Sequence, residues 1–495
     1  MYWLGIDVGT GGTRALLVDA KGRIQAAATA PHEDMEMKQP MWAEQSPDDW
    51  WEASQKSIRS VLTEANVKGK DIRGVGLSGQ MHGLVMLDAQ NKVIRPALIW
   101  CDQRSQAQVD WINQKASESF VLASTCNPVL TGFTLPKLLW VRDHEPAHYE
   151  RLRRVLLPKD YIRFHLTGEH ATDVSDASGT GLFDVLNRRW SQELVDRLGV
   201  NRDILPLVYE SSDISGRITQ AAADLTGLEP GTPVAGGGGD QAASGIGNGI
   251  VEPGFASCTI GTSGVVFAHM DEPAYDPAGR VHTFCHAVRG KWHVMGVTQG
   301  AGLSLQWFRN NLAKSDDYNA LVAEAESAPA GSQGLFWLPY LMGERTPHLD
   351  SLARAGWIGL TAKHTRADMI RSVIEGVCFS LKDCLDLIEQ MGMEVNIVRV
   401  AGGGAQSAFW RQALADIFGK RVVSLATEDS SAYGASLLAM VATGEFASVP
   451  EVCKAVVRET SSLTPRSLDS KQYGQSHKIY QSLYPALKPF YRMIH

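Results

Sequence analysis

Two stretches of the chain share one plan: a β-prone run, a turn of glycine with threonine or serine, and a β-prone return. Leu4, Ile6 and Val8 lead into Gly9-Thr10-Gly11-Gly12-Thr13, and Arg14 to Asp19 form the return. Ala256 to Ile260 lead into Gly261-Thr262-Ser263-Gly264, and Val265 to Ala268 return. A hairpin of this kind cannot bury its apolar faces alone, so each copy has to grow into a sheet covered by helices. Its recurrence about half a chain length later, in a chain of 495 residues, predicts an internal duplication. The expected fold class is therefore α/β with two halves on one plan, meeting near residue 250.

The flanking sequence fits that plan. After the first hairpin an Asp19-Ala20-Lys21-Gly22 turn and Arg23 to Ala27 add a third strand. Ser46 is placed to cap a helix with Pro47 at its first position and Trp51, Ile58, Val61 and Leu62 on one face. In the second half Ile397 to Val400 read as a buried strand running into Ala401-Gly402-Gly403-Gly404. Ser407 then caps a helix with Trp410, Ala413, Leu414 and Ile417 at helical spacing, which Gly419 ends. Pro230 to Gly254 is glycine-rich and lies between the halves. The expected units are 1–250, 251–445 and a helical tail, 446–495, packed on the second unit.

Charge and cysteine usage narrow the function classes. Lys and Arg number 47 against 54 Asp and Glu, a net charge of −7, so no global basic field draws nucleic acid or anionic membrane. A phosphate-bearing small ligand is still accommodated, because clustered backbone N–H groups hold anions without net positive charge. The seven cysteines are scattered, with no CxxC pair, and read as reduced thiols of a cytoplasmic protein. The opening Met1-Tyr2-Trp3-Leu4-Gly5-Ile6-Asp7 has neither the basic nor the long apolar stretch of a signal peptide. No apolar run reaches the length of a bilayer-spanning helix.

The chemistry-bearing candidates cluster around the glycine turns. A P-loop is absent, and Gly74-Val75-Gly76-Leu77-Ser78-Gly79 runs into another strand rather than a helix, which excludes a dinucleotide fingerprint. The two hairpin tips suit a polyphosphate, with Arg14 adjacent to the first, and Gly403-Gly404 leave room for a flat base against backbone. Asp7 precedes the first tip; a carboxylate beside phosphates needs Mg²⁺ between them, so it reads as a ligand to metal-bound water. Asp240 follows Gly236-Gly237-Gly238-Gly239 and starts a small-residue helix, a position for a base that accepts a proton from an attacking alcohol. The bland alternative for Asp240 is a helix N-cap. His82, on a turn between strands, is placed to donate to a sugar hydroxyl. His282, Cys285, His286 and His293 lack the spacing of a structural zinc site. Arg151, Arg153 and Arg154 read as a solvated helix face.

In order along the chain, Gly5-Ile6-Asp7-Val8-Gly9-Thr10, Ser78-Gly79-Gln80-Met81-His82-Gly83, Ile99-Trp100-Cys101-Asp102-Gln103-Arg104 and Gly132 to Trp140 resemble the FGGY family of carbohydrate kinases. Leu157-Pro158-Lys159-Asp160-Tyr161, Gly239-Asp240, Gly343-Glu344-Arg345-Thr346-Pro347 and Gly402-Gly403-Gly404-Ala405 extend that resemblance over nearly the whole chain, with most similarity to the branch that phosphorylates D-xylulose. The resemblance implies two duplicated ribonuclease-H-like domains of the actin-like ATPase type, closing on an interdomain cleft. It implies transfer of phosphate from ATP, with Mg²⁺, to D-xylulose, with Asp240 as base and Asp7 beside the metal. Sugar contacts fall on Met81, His82, Trp100, Asp240 and Gln241. Nucleotide contacts fall on Thr10 and Arg14, on Thr262, on Gly302 and Gln306, and on Gly403 and Gly404. Gln241 and Cys101 depart from the Asn common at both positions in that branch. Other acceptors (ribulose, glycerol, gluconate) and an actin-like ATPase without kinase activity are the alternatives. Partners beyond sugar and MgATP are not implied, and a homodimer is a possible assembly.

Overall fold

The computed structural model describes residues 1–313, 317–427 and 429–494. Tyr2–Val8 is the axis of the first sheet, antiparallel to Gly12–Asp19 and parallel to Ile72–Gly79. Ile24–Pro31 completes the meander on one side, while Pro233–Ala235 and Ile214–Arg217 extend the other. The second sheet repeats these relations. Gly254–Ile260 is antiparallel to Gly264–Met270 and parallel to Val395–Ala401. Trp292–Thr298 follows the hairpin on one side and Arg421–Leu425 the parallel strand on the other. The fold is the expected two-half α/β arrangement, and Gly74–Gly79 lies inside a strand, as its sequence context requires.

Both faces of the first sheet are covered, which follows from the alternation in Tyr2–Val8. Leu4, Ile6 and Val8 join a core with Trp50, Ile58 and Val61 of the helix Pro47–Glu64. Trp3, with Leu16 and Val18 of the next strand, joins a separate core with Ala432, Tyr433 and Leu437. The second core belongs to Ser430–Ala442, a helix from the far half of the chain that lies across Tyr2–Val8 and Ile72–Gly79. The approach is so close that a Cβ on Gly5 would meet the Ala432 carbonyl oxygen at 1.9 Å. The same helix meets Asp240–Gly247, where a Cβ on Gly434 would stand 1.9 Å from the Ala243 carbonyl oxygen. Glycine at both positions is what lets this helix seat against the sheet and against the helix that begins at Asp240.

Three local expectations change. Ser46 does occupy the N-cap position of Pro47–Glu64, but its side chain makes no capping bond; Asp48 and Asp49 in the first turn supply the complementary negative charge instead. The tail is not wholly helical. Between Val449–Val456 and Ser467–Tyr491, Glu459–Leu463 pairs with Arg421–Leu425 as the edge strand of the second sheet. Arg151, Arg153 and Arg154 do not share a helix face. Arg151 ends a short helix, whereas Arg154 starts a strand and donates to the Asp203 carbonyl at 3.0 Å. Arg153 donates to the Glu150 and Leu152 carbonyls; Arg151 and Arg153 are exposed, as expected, and only the shared helix face is absent. Among the described residues no helix is long and apolar enough to cross a membrane.

Candidate active site

Asp240 stands at the end of a backbone channel rather than on a flexible loop. Gly238–Gly239 pairs with Ser78 and Gly79, and the Gly239 N–H donates to the Ser175 hydroxyl at 3.2 Å. Ser175 in turn donates to Asp173, and Arg163 donates to the Ala235 carbonyl at 2.7 Å and to that of Gly236 at 2.5 Å. Lys159, Asp160, Arg163, Asp173 and Asp176 form a fully buried ionic cluster behind this glycine run. Asp240 is the first residue of Asp240–Gly247, with Gly239 at the cap, so its carboxylate is not spent as an N-cap.

A cavity of about 210 Å³ opens over Asp240, lined from the first half by Met81, His82, Trp100, Phe133, Asp240 and Gln241. Ser263, Val265, Met295, Val297 and Arg345 close it from the second half. All five residues expected to contact sugar therefore share one space. Phe133, Ser263 and Arg345 are additions that sequence reasoning did not assign to the site. Arg345 lies within a motif that carried the resemblance, yet nothing in the motif tells which of its side chains faces the cavity.

His82 sits at φ +69°, in the left-handed region that costs a residue with a Cβ about 1 kcal/mol or more and persists only where surroundings impose it. Those surroundings are evident: the ring stacks on Phe133 at 4.7 Å, and Thr134 Oγ1 donates to the His82 carbonyl at 3.0 Å. Nδ1 lies 2.7 Å from the Gly179 carbonyl oxygen. Burial, reinforced by the charges of Lys137 and Arg345, pushes the imidazole down to about 3 against the pull of the Gly179 bond. A neutral ring with its proton on Nδ1 leaves Nε2 as a lone pair. The expectation of a donor to a sugar hydroxyl is thus reversed: His82 is an acceptor.

Burial pushes Asp240 up to about 7, and the Asp7 charge adds to the rise, while hydrogen bonds from the Gln241 backbone and side chain oppose it. Asp7 itself is raised to about 6 by burial; the Ser78 hydroxyl pulls it down, Asp429 pushes it up, and Arg14 pulls it down. A carboxyl poised near neutrality is suited to accept a proton at working pH. Asp7 Oδ1 is buried with no hydrogen-bond partner. An orphaned carboxylate oxygen beside a second acid is a donor set that a hydrated divalent cation satisfies.

The second tip divides this cavity from another. Thr262 lines a cleft of about 450 Å³ together with Gly302, Gln306, Gly403, Gly404 and Trp410, whereas its neighbour Ser263 lines the cavity over Asp240. Five of the seven expected nucleotide contacts share this cleft. Thr10 and Arg14 do not line it. Thr10 accepts from Trp100 Nε1 at 3.0 Å and is buttressed by Gln45, which donates to its carbonyl at 2.8 Å. Arg14 is neutralised by Asp429 at 2.6 Å and also donates to Thr29, which ties the first tip to the second half. Of the histidines downstream, His282 pairs with Asn127 and His286 with the Ile250 carbonyl, while His293 stacks on Phe267 at 4.4 Å with both ring nitrogens buried and unpartnered. Among the described residues, one trio offers three ligand atoms within 4.8 Å, Asp383, Asp386 and His477, and none of the four zinc candidates is in it.

Comparisons with known proteins agree with this geometry. Residues 2–247 match the N-terminal domain of the FGGY family of carbohydrate kinases, and residues 256–443 match its C-terminal domain. The chain is 38% identical to the xylulose kinase of Bacillus subtilis (strain 168), over 98% of this chain and 97% of that one. It superposes on a xyloylose kinase from Brucella ovis with a TM-score of 0.93 at 35% identity, covering 99% of this chain and 100% of the other. A gluconate kinase from Lactobacillus acidophilus superposes equally well, with a TM-score of 0.94 at 27% identity, covering 100% and 99%.

Proposed function

The chain belongs to the FGGY family of carbohydrate kinases, and from that premise we propose that it phosphorylates D-xylulose at its terminal hydroxyl, using MgATP. The observation that carries this reading is the Gly261–Gly264 turn, where adjacent residues Thr262 and Ser263 line the two cavities. A γ-phosphoryl group held at the turn has one cavity behind it and the Asp240 carboxyl ahead. In-line transfer needs that arrangement, because catalysis of phosphoryl transfer is mainly positioning and charge stabilisation.

In this reading residues 1–250 supply the sugar contacts and the base, residues 251–445 the nucleotide cleft, and residues 446–495 a tail against the second unit. Asp240 accepts the proton of the attacking hydroxyl as the oxygen–phosphorus bond forms. Met81, His82 and Trp100 orient the sugar, and Gln241 steadies the base. Thr262, Gly302, Gln306, Gly403 and Gly404 hold the nucleotide. Asp7 would hold a water of Mg²⁺, whose charge offsets that of the phosphates when bound. The free thiols of all seven cysteines support a cytoplasmic setting.

The gluconate kinase match means that fold alone does not choose the acceptor. ADP release measured over a panel of ketoses, polyols and aldonates tests the choice. D-xylulose is expected to give the highest kcat/KM; a polyol or aldonate exceeding it would refute the assignment, and no sugar stimulation at all would return the chain to the ATPase reading.

A further inference from the structure

Arg345 brings a cation to the cavity, with the neighbouring Glu344 as its counter-charge and no protein group hydrogen-bonded to its guanidinium among the described residues. The loop that carries it is firmly tied. The Thr346 N–H donates to the Val297 carbonyl at 3.0 Å, Thr346 Oγ1 donates to the Arg280 carbonyl at 2.7 Å, and the Arg345 N–H donates to Glu344 at 2.8 Å. The adjacent Glu344 carboxylate is spent on Thr298 Oγ1 and on the Gln299 and Arg345 N–H groups. No hydrogen bond or ion pair reaches the Arg345 guanidinium among the described residues, although it lines the cavity beside Asp240 and His82. The half-buried guanidinium faces the cavity with its donors uncommitted, so a ligand there supplies the acceptor that the protein does not.

Its place in the cavity follows from its loop and its neighbours. Burial depresses both His82 and His282, and the Arg345 charge adds to the fall at each. The Arg345 loop runs to the same end, since Thr346 is bonded to the Arg280 carbonyl two residues before His282, and Phe133 packs against both His282, at 6.1 Å, and His82, at 4.7 Å. The cavity thus presents one donor fork and one lone pair: the guanidinium, and Nε2 of a ring whose Nδ1 is 2.7 Å from the Gly179 carbonyl. The complementary ligand fragment is a hydroxyl next to an acceptor oxygen.

We propose that Arg345 selects a keto sugar over its polyol, donating to the carbonyl oxygen at C2 while His82 Nε2 accepts from the C1 hydroxyl and the C5 hydroxyl lies at Asp240. The assignment rests on the ketose reading above and adds to it a specificity residue supplied by the nucleotide-side half. A polyol places a tetrahedral CHOH where the planar carbonyl was, and its hydroxyl has to turn its own proton away from a group that only donates. An α-hydroxy acid shares the pattern through its carboxylate and serves as the competing ligand in the test.

Steady-state kinetics with D-xylulose as substrate, and D-arabinitol, its C2-reduced form, as competitive inhibitor, decide the point. Arg345→Gln is expected to raise KM for D-xylulose about 10- to 100-fold, the range of a lost charge-assisted hydrogen bond. Ki for D-arabinitol and KM for MgATP should stay within about threefold of wild type. Arg345→Lys keeps the charge without the fork and should give an intermediate KM with Ki unchanged; it carries the test if the Gln variant does not fold. Parallel rises in KM and Ki, or an unchanged KM, would overturn the role of Arg345 while leaving the kinase reading intact. Turnover of D-xylonate that exceeds D-xylulose and disappears in Arg345→Gln would overturn the carbonyl assignment in favour of a carboxylate. A wild-type enzyme inert towards D-xylulose fails the ketose reading before any variant is made.

Discussion

Replacing Asp240 by Asn should damage turnover and improve stability, both for the same reason. The carboxyl is held at about 7 against an ordinary 3.8 by burial and by Asp7. A shift of one unit corresponds to about 1.4 kcal/mol, so the ionised group costs the folded state up to roughly 4 kcal/mol. Asp240 still meets solvent through the cavity mouth, which reduces the figure to about 2 kcal/mol. The raised folded-state value fixes the direction. The penalty is absent below the unfolded value of 3.8, where both states hold the proton, and it is complete above about 7. Asp240→Asn should therefore match wild type near pH 4 and gain with rising pH, reaching about 2 °C in Tm at pH 8 if the chain melts cooperatively. In the same variant kcat should fall about 10²- to 10⁴-fold with both KM values nearly unchanged, since only a proton acceptor is lost. Differential scanning calorimetry across pH and an ADP-coupled assay read the two effects. A loss under tenfold in kcat would remove Asp240 as the base. A Tm difference independent of pH would show that its carboxyl is not raised by burial.

Three further outcomes are expected. His82→Ala should raise KM for the sugar about tenfold or more while KM for MgATP stays within about twofold; because His82 is pushed down to about 3, its contribution to sugar KM should be flat between about pH 5 and pH 9. Equal effects on both substrates would make its role structural. Gly5→Val should destabilise by more than about 3 kcal/mol, seen as a lowered Tm, because its Cβ would press on the Ala432 carbonyl at 1.9 Å; a change under about 1 kcal/mol would mean that the helix does not seat there. Small-angle scattering should show a smaller radius of gyration with sugar plus a non-hydrolysable ATP analogue, together with a slow ATPase that sugar accelerates; an unchanged radius and no stimulation would exclude closure.

The duplicated sheet and the first-half lining of the cavity over Asp240 were legible because both are written in local pattern. Glycine turns between β-prone runs have few alternative structures; Met81-His82 follows a strand end, and Gly239-Asp240 passes directly from strand to helix, places where side chains meet clefts. What sequence did not convey is pairing at a distance and direction. Arg14 has no partner visible in sequence, whereas the structure pairs it with Asp429, 415 residues away. His82 looks like a donor until the Gly179 carbonyl claims its proton. The three arginines near residue 151 look like one helix face until the helix ends at the first of them and the next strand begins at the last. In each case the missing information is a partner's position, which residue spacing does not encode.

The same junction that hides from sequence constrains how the enzyme can move. Arg14 bonds Asp429 beside the first tip, Ser431 lies 2.7 Å from Ser244 by their hydroxyls, and Ser431 donates to the Asp240 carbonyl at 3.4 Å. The helix Ser430–Ala442 thus touches the first sheet, the first tip and the helix that begins at Asp240. With backbone atoms in contact at Gly434 and Gly5, there is no layer of side chains to slide along, so relative motion has to be rotation about this seam. Rotation about a seam leaves points near it almost still and moves distant points furthest. Asp240 and Asp7 lie near the seam and keep their mutual geometry, whereas Arg345 and the second tip are carried by the other half. Closure would therefore bring the second tip and Arg345 to an Asp240 that is already in place.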